Sequence, residues 1–216
     1  MARISWDREH TIVALNLYYR IPFGSYHINN DEVLNVADLL GRSPSSISMK
    51  LGNFASLDNE LKERGIAGLV NTSKLDVLIW DEFSKNLENL SFESQAIIAK
   101  ITNRNIDEFV ETEDIDFLEG KEKLALIKQR INQNFFRDNI LSSYDGKCCI
   151  TDLDIPEMLV ASHIVPWSID IKNRLNPKNG LCLNVFHDKA FDKGFISFTD
   201  DYELIISPTI QQNISN

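Results

Sequence analysis

The stretch from Cys148 to Phe198 constrains this chain more than any other, because it fixes an order of strand, histidine, loop, asparagine and histidine. Two of the four histidines in the protein, His163 and His187, lie in it. The apolar run Met158–Ala161 predicts a short buried strand that delivers His163, and Pro166 ends regular pairing just beyond. A polar loop leads to Asn179-Gly180, a turn signal. Leu181–Phe186 is then expected to run as a helix into His187-Asp188, with Cys182 on its apolar side. A neutral imidazole is the natural proton acceptor near neutral pH. Imidazole and carboxylate side by side suit a divalent cation, although adjacent helical positions point about 100° apart.

The residues themselves carry a family likeness. Ala161-Ser-His-Ile164, Pro166-Trp167, Asn176-Pro177, Asn179-Gly-Leu181, His187-Asp188 and Ala190-Phe-Asp192-Lys-Gly194 follow one another in fixed order. This set resembles the HNH endonucleases, in the branch whose motif reads ASHI-x-PW, NGL and HD-x-AFD. Lys128-Gln-Arg130, Gln133, Phe135-Phe-Arg137, Tyr144 and Cys149-Ile-Thr151 extend the likeness upstream. The resemblance implies a β-hairpin and helix gripping one divalent metal, Mg2+ or Mn2+ in the first place, Zn2+ or Ni2+ otherwise. It implies hydrolysis of DNA phosphodiester bonds, in a restriction or defence role. His163 would be the general base and Asn179 would pin the loop and orient it. His187 and Asp188 would hold the metal, either both directly or one from behind the other. Many HNH enzymes place an acidic ligand just before the base; this chain has Ser162, as the ASHI branch does. Asp192 is expected to close the turn before Gly194.

Upstream the pattern is helical. Trp6–Tyr19 predicts an amphipathic helix, Asn30–Leu40 a second that ends at Gly41, and Pro44–Phe54 a third with proline in its first turn. Helix, glycine turn, helix is the pattern of a helix-turn-helix unit and equally of a plain helical hairpin. In the first reading Arg42, Ser45, Ser46 and Lys50 would contact DNA, with Arg137 contributing from a later helix. Residues 64–75 predict a loop, Asp76–Asn89 and Lys85–Lys100 helix, Lys121–Ser143 a long helix, and Tyr202–Ile206 a strand. The fold class expected is therefore α+β: a helical, helix-turn-helix-like domain over 1–104, an acidic linker over 105–120 and an HNH domain over 121–216.

Composition sets the alternatives. Net charge is −10, unusual for a protein that holds phosphates. Seven of the acids fall between Asp107 and Glu119 with no basic residue among them, so outside that run the net charge is about −3. Three cysteines, two of them adjacent, fit neither a disulfide framework nor a zinc knuckle and are expected in the core. The N-terminus carries charges into its apolar run, unlike a signal peptide, and no apolar stretch is long enough to span a membrane, which makes the cytoplasm the default location. A palindromic DNA site would call for a homodimer. Three rivals stand beside the DNA endonuclease: a non-enzymatic DNA-binding regulator on an HNH scaffold, an RNA nuclease, and a structural zinc module.

Overall fold

A computed structural model describes residues 5–22, 24–69, 71–110 and 118–214, without the side chain of Ile214. It divides into two compact units, residues 1–139 and 140–216. Together they make an α+β chain, helical first and with small antiparallel sheets toward the C-terminus.

The first unit is built around α1 (Arg8–Arg20). Asp7 caps it by accepting from the His10 N–H. The sequence predicts an amphipathic helix here, but every residue from Thr11 to Tyr18 is buried. A helix covered on all sides is a central one. α2 (Asp31–Leu39), α3 (Pro44–Ala55), α5 (Lys74–Phe83) and α6 (Leu87–Thr102) all pack on it, while the one-turn α4 (Asn59–Glu63) follows α3. Ile12, Leu15, Leu17, Ile47, Leu51, Phe54, Ile79, Phe83 and Leu90 form the shared core.

Side-chain caps mark the helix starts: Asn30, Ser43 ahead of Pro44, Asp58, Ser73 and Asn86. Gly41, at φ +60°, lets the Gly41 and Arg42 N–H groups fold back onto Asp38 and Ala37 and so turns α2 into α3. The single helix expected over 76–89 is broken, because Asn86 caps a new helix.

The long helix expected from Lys121 is α7 (Gly120–Ser143), and the division between the two units falls inside it. Its Ile127 and Ile131 pack with Val110, Phe92 and Ile106 in a second cluster of the first unit. Lys123 pairs with Asp107 at 2.8 Å. Residues 111–117, most of the acidic run, lie outside the described residues.

In the second unit β1 (Leu159–His163) pairs antiparallel with β2 (Gly180–Asn184), with Leu159 opposite Asn184 and His163 opposite Gly180. α8 (Val185–Asp192) packs against both. The helix expected from Leu181 is thus corrected: residues 181–184 are strand, and Cys182 lies opposite Ala161. Five residues are too few for periodicity to separate strand from helix; pairing with β1 decides it. α8 ends on Gly194 at φ +68°, where the Gly194 and Phe195 N–H groups bond to the Phe191 and Ala190 carbonyls, leaving Asp192 exposed. β3 (Ile196–Phe198) and β4 (Leu204–Ile206) form a second hairpin, followed by α9 (Pro208–Ile214).

Candidate active site

His163 is the last residue of β1, and its Nε2 lies 2.9 Å from the Arg174 carbonyl. A carbonyl only accepts, so Nε2 carries the proton and the basic lone pair of the neutral ring is on Nδ1. The Trp167 ring packs perpendicular to the imidazole, their centres 5.4 Å apart at 88°. Arg174 is itself tied down, donating Nε–H to the Trp167 carbonyl at 2.8 Å with its guanidinium 5.3 Å from the Trp167 ring.

Asn179 staples the loop that makes this arrangement. Its Oδ1 accepts from the Val165 N–H at 2.8 Å, and its Nδ2 donates to the carbonyls of Val165 (3.1 Å) and Asn173 (3.3 Å). Its own carbonyl accepts from the Ile164 N–H. Asn179 therefore fixes Ile164 and Val165, just after His163, and Asn173, just before Arg174, and acts on the histidine through the backbone.

The start of α8 presents the other two candidates. Asn184, the last residue of β2, caps the helix by accepting from the N–H groups of Phe186 and His187 at 3.0 and 2.9 Å. His187 and Asp188 are half-buried and face different partners. Asp188 approaches Ser162, the residue before the candidate base. Burial raises its carboxyl pKa, Ser162 and Lys189 pull it down, and Asp192 pushes it up. Ser162 Oγ is near enough to act on that carboxyl but falls short of a formed hydrogen bond, so it stays a buried hydroxyl without a partner. His187 turns the other way: its Nδ1 lies 3.5 Å from Cys148 Sγ. Burial raises the Cys148 thiol pKa, but hydrogen bonds from Thr151, His187 and the backbone of Ile150 and Thr151 outweigh it, bringing the thiol down to about 6.

Residues 148–199 match the family model of the HNH endonucleases. This segment is similar to an HNH endonuclease domain. Nuclease chemistry is what the family carries, typically with a divalent metal. No curated protein matches the chain.

The HNH residues fit such a cation. Asp188 offers carboxylate oxygen, with the buried Ser162 hydroxyl beside it, and His187 offers a ring nitrogen. Among the described residues no three His, Cys, Asp or Glu side chains group as a metal site. A cation would therefore be held by few protein groups and by water, whereas a closed structural zinc site needs four protein ligands.

The residues expected to touch DNA from the first unit are placed differently. Lys50 is corrected: it is 3% exposed and pairs with the fully buried Asp76. Its ammonium lies 4.4 Å from the Trp6 ring centre, so this cation belongs to the interior. Arg42 stacks on Trp6 at 3.9 Å and donates to the Ser5 carbonyl and His10 Nδ1. Ser46 donates its N–H to the capping Ser43 hydroxyl, and the exposed Ser45 shares a hydrogen bond with the same oxygen. Arg137 is half-buried on α7 in the first unit.

Sequence reasoning did not foresee the Arg174 carbonyl and the Trp167 ring as neighbours of His163, or Cys148 as the neighbour of His187. Backbone partners leave no residue signature. Cys148 had one, since Thr151 three residues on can wrap a turn around its sulfur.

Proposed function

We propose that the chain is a metal-dependent DNA endonuclease in which His163 activates water. The observation that carries this is the tautomer of His163: the Arg174 carbonyl holds the proton on Nε2, so Nδ1 is the proton acceptor. The ring is held before substrate arrives, by the Arg174 carbonyl and by the perpendicular Trp167 ring. His187 and Asp188 would hold the cation, which supplies Lewis-acid stabilisation to the phosphate and to the departing 3′ oxygen. His163 Nδ1 takes a proton from the attacking water, and the P–O3′ bond breaks to leave a 5′-phosphate.

Cationic groups for a phosphate backbone exist close to the base in sequence. Lys172, Arg174 and Lys178 lie on the loop between His163 and Asn179, and Lys189 stands exposed on α8. These offset the acidity of the chain where it matters. A restriction or defence role is the setting this reading favours.

The test is parallel digestion of a supercoiled plasmid and an RNA, each with Mg2+ or Mn2+ and again with EDTA. Nicking or linearisation of DNA that EDTA abolishes is expected. Cleavage of RNA alone would overturn the substrate, and no cleavage of either would favour a DNA-binding regulator on an HNH scaffold.

A further inference from the structure

The loop between His163 and Asn179 turns its polar side chains inward and its isoleucines outward. Asp170 accepts from the Asn173 N–H at 3.2 Å and from Asn173 Nδ2 at 2.7 Å, and Asn173 Oδ1 accepts from Asn176 Nδ2 at 3.1 Å. The Ile169 and Asp170 N–H groups fold back onto the Pro166 carbonyl. Leu175 is buried, but Ile169 and Ile171 are 73% and 61% exposed, and Ile164 and Val165 are exposed before them. Single exposed apolar side chains are ordinary; four within eight residues, on a loop held by its own hydrogen bonds, are not. Cations lie beside them. Between residues 164 and 179 three cations, Lys172, Arg174 and Lys178, stand against one acid, Asp170, in a chain of net charge −10. Lys172 and Lys178 are exposed. The loop also starts at the candidate base, and Trp167 packs on the His163 ring with centres 5.4 Å apart. A phosphodiester brought to His163 therefore meets this loop.

We propose that Ile169 and Ile171 are wedge residues: they insert between base pairs beside the phosphate presented to His163, while Lys172 and Lys178 hold flanking phosphates. The inference rests on the reading of this chain as a DNA endonuclease and adds how the duplex is deformed at the site. Duplex DNA offers what such a loop needs, an anionic backbone for the lysines and an apolar base stack behind it. Isoleucine, branched at Cβ, has few rotamers to lose on insertion, and the loop that carries it is already ordered by its own bonds.

Side chains that part base pairs untwist the duplex. The change is captured when a topoisomerase that needs no metal relaxes a plasmid with the protein bound, in EDTA, before the protein is removed. Wild type should shift the topoisomer distribution in proportion to the protein bound. Ile169→Ser/Ile171→Ser, compared at equal occupancy by gel retardation, should lose the shift. Both positions are exposed, so neither change disturbs the core. Lys172→Ala/Lys178→Ala should bind more weakly, with a log–log salt slope shallower by about 2. A plasmid left unshifted by wild type, an equal shift by the isoleucine variant, or an unchanged salt slope in the lysine variant would overturn the proposal. So would isoleucine-dependent binding to phosphatidylglycerol vesicles, or isoleucine-dependent self-association, with DNA topology unaltered; these would give the loop to a lipid surface or to a second copy. A topology shift without cleavage in Mg2+ would count against the endonuclease reading alone. Cleavage without a shift would count against the wedge alone.

Discussion

Asp188, the proposed ligand, illustrates how a partly buried carboxyl costs its fold stability. Burial holds its carboxyl pKa above the ordinary value of 3.8. A group whose pKa is raised on folding contributes stability below its unfolded pKa and loses it as pH rises through the folded one. Metal-free protein should therefore be less stable at neutral pH than an Asp188→Asn variant, and the difference should vanish near pH 3.8. Thermal melts of both proteins at the two pH values check this, and metal titration should show weaker binding by the variant. Asn179 has the opposite profile, a residue whose loss costs both fold and site. Asn179→Ala takes the side-chain partner from both the Val165 N–H and the Val165 carbonyl. A loss of about 1–3 kcal/mol is expected from chemical denaturation. Both residues stood out in the sequence; which partner each would meet did not, because Ser162 and the loop carbonyls are brought to them by the hairpin.

At the scale of elements, legibility tracked local signals. The turn from α2 to α3 was readable because Gly41, Ser43 and Pro44 each act within a few residues. β2 was not, because its strand identity depends on β1, some twenty positions away. Lys50 was misplaced for a related reason. On helix pattern it is a surface cation, and only Asp76, reached through the packing of α5 on α3, draws it inside. Removing one partner of a buried ion pair strands the other, so Lys50→Met should cost about 3–5 kcal/mol, with Asp76→Asn in the same chain restoring much of it. Denaturant midpoints of the single and double variants measure this. The end of α8 allows a simpler check. Gly194 sits at φ +68° with open space around it, so Gly194→Ala should cost about 1 kcal/mol through backbone strain alone.

For the whole molecule, the family segment and the fold class were legible because the HNH residues are close in sequence as well as in space. What the first unit does was less so. Its candidate DNA contacts are drawn into capping, stacking on Trp6 and a buried ion pair, which favours the helical-hairpin reading of α2 and α3 over a basic recognition helix. No helix among the described residues is long and apolar enough to cross a membrane. The central claim, that His163 is the proton acceptor of a DNA-cleaving site, meets its most direct test in chemical rescue. Plasmid cleavage by His163→Gly should fall by about 10²–10⁴-fold and recover in part when imidazole is added, with metal binding intact. Cleavage by His163→Gly at the wild-type rate, without imidazole, would contradict the account.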